Sequence, residues 1–212
     1  PRRYAPWVCH ESYPELLNYL LDPSGSRVLL VSGTIFKNDT VKLDNWYLLD
    51  EGLPDLLPDQ GDYTIQCLSP IRKALYSTSF GLDTNNFTAF TFVIPFPEGS
   101  VKVAIKHCNE TLKEVEMTAN APSVTVLHPN GGECLDGDHE VAWKGEDLEG
   151  DKLTYAGLYS CNIGEDWTVV AHGLEETNCT IDFSELPGGE QCLVKVIATD
   201  GFNTGQDVSH DS

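Results

Sequence analysis

No stretch of this 212-residue chain approaches the run of roughly 20 apolar residues that a membrane-spanning helix needs. Basic residues are scarce: 13 Lys and Arg stand against 33 Asp and Glu, for a net charge of −20. Only three of the 13 follow Ala121, where eighteen acidic residues give a net of −15, against −5 for the part before. A surface so poor in cations repels nucleic acid and anionic membranes. There is no Cys-x-x-Cys pair and no Cys/His spacing of a zinc module. There is no Gly-x-Ser-x-Gly elbow and no glycine-rich phosphate loop, and His10-Glu11 has no second His at helical spacing. These gaps remove the common catalytic patterns, and the reading is of a protein that is not an enzyme. The chain does not begin with Met, and nothing at its start resembles a signal peptide, so Pro1 is expected to open a mature form, a proteolytic product or an expressed piece.

What is present is enough apolar sequence for real cores, 41%, and seven cysteines. Cysteines at this density point to an oxidising compartment. Four Asn-x-Ser/Thr sequons, at Asn38, Asn86, Asn109 and Asn178, support an exported, N-glycosylated chain. The expected location is extracellular or at the cell surface.

Residues 1–26 are a lead-in. Ser12-Tyr13-Pro14-Glu15 has the form of a helix start, with Ser12 as cap and Glu15 closing a capping box. Leu16, Leu17, Leu20 and Leu21 follow at helical spacing, so a short helix is expected at about 13–21. From Arg27 the pattern becomes short runs of strand length: Arg27–Phe36, Thr40–Leu49, Tyr63–Leu68, Ala74–Phe80, Thr88–Phe96, Val101–Lys106 and Leu112–Thr118. Turn signals separate them, as in an antiparallel sandwich. Asn120-Ala121-Pro122-Ser123 marks a boundary, so the domains are expected at 27–120 and 121–212. The second expected domain has runs at Ser123–Leu127, His139–Trp143, Leu153–Ser160, Trp167–Ala171, Cys179–Phe183, Gln191–Thr199 and Gln206–Ser209. Seven strands in roughly 90 residues match the rhythm of an immunoglobulin or fibronectin type III sandwich. The fold class is therefore all-β: two antiparallel β-sandwich domains in tandem, the second Ig/fibronectin III-like, with a short N-terminal helix.

A series of residues carries a resemblance. It comprises Pro129-Asn130-Gly131-Gly132-Glu133, Trp143, Gly150-Asp151-x-Leu153-x-Tyr155, Tyr159-Ser160, Gly164-x-x-Trp167 and Ala198-x-Asp200-Gly201-x-Asn203-Thr204. Over about residues 121–209 the chain resembles fibronectin III-like or Ig-like C-terminal domains of large secreted and cell-surface proteins of bacteria and archaea. The resemblance implies an extracellular accessory domain, and a shared fold does not carry a shared activity. The four cysteines of this region depart from the pattern, Cys161 most of all.

Three constellations stand out. In a sandwich of this topology the loop Glu146–Asp151 shares an end with the loop holding Asp200 and Asn203. Asp147, Glu149, Asp151, Asp200 and Asn203 are the candidate ligands of a Ca²⁺ ion, which takes six to eight oxygens. A solvated acidic loop is the competing reading. Second, Cys134, Cys161, Cys179 and Cys192 allow three pairings, of which placement favours Cys134–Cys192 with Cys161–Cys179. Cys67–Cys108 is the expected pair of the first domain, leaving Cys9 unpaired or bonded to another chain. Third, Trp46, Tyr47, Trp143 and Trp167 are expected in the core rather than on a sugar-binding face, since adjacent strand residues face opposite sides. The function expected is a non-catalytic structural or adhesive module of a larger surface protein or surface assembly, a filament subunit being one version of it, with protein partners or copies of itself. An accessory domain pair C-terminal to a secreted hydrolase and a carbohydrate-binding module stay open.

Overall fold

The computed structural model describes residues 26–56, 60–81, 87–189 and 191–210. The expected helix at 13–21, Cys9 and Asn86 lie outside the described residues. The chain divides into two compact units, with the break between Thr118 and Ala119. Both are built of antiparallel strands, and a single 3₁₀ turn at Phe183–Glu185 is the helical element among the described residues.

In unit 1, β1 (Ser26–Phe36) pairs along one edge with β2 (Val41–Leu43) and β3 (Tyr47–Gly52), and along the other with β6 (Phe87–Pro95). The second sheet runs β5 (Ala74–Phe80), β4 (Tyr63–Leu68), β7 (Lys102–His107), β8 (Glu110–Glu116). The single run expected over Thr40–Leu49 is thus two strands. Asp44 leaves the ladder to donate its backbone N–H to Ser32 O, and the Trp46 indole also donates to that carbonyl, at 2.9 Å. β1 is central, and Val28, Leu29, Leu30 and Val31 are all withdrawn from solvent. That explains its unbroken apolar run, where a half-exposed strand would alternate. Ile65 faces Ile105 and Cys67 faces Val103 across the other ladder, and all four are buried. Phe80 meets Phe90 and Phe92, from the opposite sheet, at centroid distances of 5.9 and 5.1 Å, spacings suited to aromatic pairs.

Unit 2 is an immunoglobulin-like β-sandwich of seven strands. One sheet is β9 (Ser123–His128), β10 (Asp138–Glu146), β13 (Asn178–Asp182), with β10 in the middle. The other is β12 (Thr168–Leu174), β11 (Thr154–Ser160), β14 (Leu193–Thr199), β15 (Thr204–Val208). Between the sheets lie Val126, Val141, Trp143, Tyr155, Tyr159, Ile181, Val194, Val196 and Ala198, with Trp143 edge-on to Tyr155 at 5.4 Å. Trp167 does not join them. Its half-buried ring lies 4.0 Å from the Lys195 ammonium. Val194, Val196 and Ala198 face the core, so alternation puts Lys195 on the outer face, and Trp167 covers it there. Burial lowers the Lys195 pKa to about 8. The edge strand β9 is clipped to β15 by the Asp207 carboxylate, which accepts from Val126 N at 2.8 Å. Gly205 lets β15 approach: a Cβ there would fall 1.9 Å from Pro122 O.

Candidate metal centre

The register fixes which loops share an end. Ser123 pairs with Glu146, and Thr154 with Thr199, so the β10–β11 loop and the β14–β15 turn meet at one end of unit 2. There the carboxylates of Asp147, Asp151 and Asp200 each bring an oxygen within 4.8 Å of the other two. Two short-range motifs shape the site. Asp147 Oδ1 accepts from Asp151 N at 2.9 Å, closing the loop on itself around Gly150, whose φ of +78° suits a residue without Cβ. Asp200 Oδ1 accepts from the backbone N–H of Phe202 and Asn203 at 2.8 and 2.7 Å, which holds the turn before β15.

The remaining two predicted residues take other parts. Glu149 stands outside the cluster and accepts from Asn120 Nδ2 at 2.7 Å. Asn203 is buried and enters through its amide N–H groups, donating to Asn120 O and Asp200 Oδ2, both at 3.2 Å. These two residues position the segment entering β9 and the Asp200 carboxylate.

The electrostatics of the site are unfavourable to three anions. Asp151 has its pKa raised, first by loss of water and then by the charges of Asp147, Asp200 and Glu149. Asp147 Oδ2 is buried and has no hydrogen-bond partner among the described residues. A buried carboxylate oxygen without a donor is costly. The nearby ammonium groups of Lys144 and Lys152 bond Glu146 and Glu175, each at 2.6 Å. Three oxygen donors from two loops, one of them lacking a proton donor, form the donor set a hard divalent cation selects. They would supply part of the six to eight oxygens calcium takes, with water completing the shell.

The other sequence-derived sites fall as follows. The described cysteines, Cys67, Cys108, Cys134, Cys161, Cys179 and Cys192, are free thiols in this structure. Two expected pairings are corrected by strand register. Cys67 lies opposite Val103, whereas Cys108 donates its N–H to Asp62 O, five residues back along β4. At about 3.3 Å per residue that is roughly 16 Å, far beyond the 7 Å or so that a disulfide bridges. Cys161 follows Tyr159, whose ring meets Phe183, while Cys179 lies four residues before Phe183 in the opposite direction. Strands of opposite sheets therefore hold Cys161 and Cys179 well apart. Cys134 and Cys192 line one cleft of about 180 Å³. Asn38, Asn109 and Asn178 are exposed, Asn178 on the edge strand β13. Trp46, Tyr47 and Trp143 are buried and offer no platform for a sugar ring.

One cluster has no counterpart in the sequence reading. In unit 1 the Asp39 carboxylate accepts from the Tyr63 hydroxyl at 2.9 Å and lies 3.0 Å from His107 Nδ1, with the tyrosine and imidazole rings stacked at 4.3 Å. Asp39 sits in the β1–β2 turn with φ +62°, and Tyr63 and His107 are in the opposite sheet. The hydrogen bond to His107, then that from Tyr63, holds the Asp39 carboxyl below its usual range. Both carboxylate oxygens are engaged, so the cluster pins a turn. The Asn-Asp pair at 38–39 signals that turn, but nothing local to it names partners 24 and 68 residues away.

No family model matches the sequence, and no curated protein matches it. Among solved structures, the N-terminal four Ig domains of Dscam1 isoform 8.4 are similar at 9% identity with a TM-score of 0.26, over 85% of this chain. This chain spans 40% of that one. At that score the similarity adds nothing to the fold, which rests on the strand pairing itself.

Proposed function

We propose that this chain is a non-catalytic extracellular module, structural or adhesive, of a larger surface protein or assembly, and that unit 2 takes up Ca²⁺ at Asp147, Asp151 and Asp200. The observation that carries the reading is the convergence of these three carboxylates within 4.8 Å, with Asp147 Oδ2 lacking a hydrogen bond among the described residues. The cation offsets the mutual repulsion of the loops. Through Asp200, Asn203 and Asn120 it also fixes the segment that enters β9. Its job is to make a surface rigid, and the partners are proteins or other copies of the chain that read that surface. The exposed sequons and an oxidising compartment fit such a setting.

Titration calorimetry of the full chain with calcium chloride tests the reading. A saturable heat, abolished by Asp200→Asn and not reproduced by magnesium at equal concentration, supports it. No heat with the wild-type chain at millimolar calcium overturns it.

A further inference from the structure

Three thiols gather at the end of unit 2 opposite the acidic loops, and strand register distinguishes them. β11 and β14 pair with Ser160 opposite Leu193, so the next step of the same register sets Cys161 opposite Cys192. Tyr159 and Val194, one pair back on the same side, both face the core. Alternation therefore puts Cys161 and Cys192 on one face at the rim. Residues directly opposite on antiparallel strands have Cα atoms about 4.5–5.5 Å apart, inside the roughly 4.4–6.8 Å that a disulfide spans. The returning chain shows how near they are. A Cβ built on Gly189 would lie 3.4 Å from Cys192 Sγ and 3.9 Å from Cys161 Cβ. Cys192 Sγ donates to Gly189 O at 3.2 Å, and the Tyr159 hydroxyl donates to Pro187 O at 2.6 Å, so the segment 187–189 is tied over both positions.

We propose that Cys161 and Cys192 form a cross-strand disulfide when the protein meets an oxidising thiol–disulfide couple. One thiolate attacks a sulfur of a disulfide-bearing oxidant, giving a mixed disulfide and releasing one thiol of the oxidant. The second cysteine then displaces the other oxidant thiol, so the two cysteines are oxidised, one oxidant disulfide is reduced to two thiols, and the two cysteine protons leave with them. The bond closes the β11–β14 ladder at the end where register pairing stops. It also encloses β12 and β13, the segment that crosses from the four-stranded to the three-stranded sheet. Cys134 lines the same cleft as Cys192 but is carried by the β9–β10 loop, which no ladder holds in register with it. The pairing rests on register, not on calcium uptake, and thiol mapping and calcium titration fail independently.

The test is oxidation of the folded full chain with oxidised glutathione, alkylation of the remaining thiols, and cleavage after glutamate. Glu133, Glu140, Glu149, Glu165, Glu176, Glu185 and Glu190 place Cys134, Cys161, Cys179 and Cys192 on four separate peptides. Mass spectrometry without reductant is expected to show the Cys161 and Cys192 peptides joined, and to show them singly after reduction. Cys134→Ser is expected to leave the link in place, whereas Cys161→Ser frees Cys192 for alkylation. A Cys134–Cys192 link in the wild-type chain, or complete alkylation of both Cys161 and Cys192 after oxidation, overturns the assignment.

Discussion

If calcium holds the loop end of unit 2, removing one carboxylate has a measurable thermal signature. A ligand that binds only the folded state stabilises it by RT ln(1 + [L]/Kd), about 1.4 kcal/mol when free calcium is tenfold over Kd. For a unit of the size of Ala119–Ser212, each kcal/mol moves Tm by roughly 4–8 °C. The unit 2 transition should therefore rise by roughly 6–11 °C between chelator and tenfold-Kd calcium. Asp200→Asn keeps a side-chain oxygen in place of Oδ1 to accept from Phe202 and Asn203 N–H, so the turn before β15 is retained while one charge is lost. In chelator the relief of one repulsive charge is set against the loss of the Asn203 amide bond to Oδ2, and the variant should respond little to calcium. Differential scanning calorimetry in chelator and in calcium gives the four temperatures needed. A wild-type Tm unchanged by calcium, or an Asp200→Asn variant that gains as much as the wild type, refutes the reasoning.

Three further outcomes follow from other parts of the molecule. Asp39 in unit 1 and Asp151 in unit 2 should contribute to the acid response with opposite sign. Asp39 has a depressed pKa, so its contribution to unit 1 is present above the unfolded carboxylate value and is lost as pH falls through the lower folded value. Asp151 has a raised pKa, so calcium-free unit 2 is relieved as pH falls through it, and calcium affinity falls over the same range. Melting curves from pH 7 to 3, with and without Asp39→Asn, check both. Gly205→Ala should destabilise unit 2 by about 1–3 kcal/mol through overpacking, because the new methyl meets the Pro122 carbonyl; chemical denaturation measures it. Cys108 is exposed, whereas burial pushes the Cys67 thiol up to about 12, so at pH 8 only about one Cys67 in 10⁴ is a thiolate. A native-state thiol titration should modify Cys108 promptly and Cys67 only on unfolding.

Much of this architecture is written locally in the chain. The alternation of Val101, Val103 and Ile105 with Lys102 and Lys106 marks β7, and Tyr63–Leu68 and Ala74–Phe80 mark β4 and β5 with the bounds found. Periodicity reports which residues are buried, so it finds strands; it does not report which strand lies beside which. The β2–β3 break was therefore hidden in one continuous run, resolved only by the bonds of Asp44 and Trp46 to Ser32. The acidic cluster was legible because loop ends follow from sandwich topology, yet the division between Asp147, Asp151 and Asp200 on one side and Glu149 and Asn203 on the other depends on hydrogen bonds to Asn120. The expected Cys67–Cys108 pairing failed for the same reason. Being near the end of a strand does not fix a level along it, and Cys67 and Cys108 sit at opposite ends of the β4–β7 ladder. Trp167 misled because an aromatic residue beside a strand covers an outer-face lysine as readily as it fills a core.

The place of the first described strand in each unit bears on how the chain answers a pulling force. In unit 2 the entering strand β9 is an edge strand, held along one side by five register pairs to β10 and clipped on the other by Asp207. In unit 1 the first described strand, β1, is central, with nine register pairs to β6 on one flank and β2 and β3 on the other. β9 enters where Ser123 meets Glu146 and β15 leaves where Val208 meets Lys195, at opposite ends of the unit, so tension along unit 2 loads the five β9–β10 pairs together rather than one at a time.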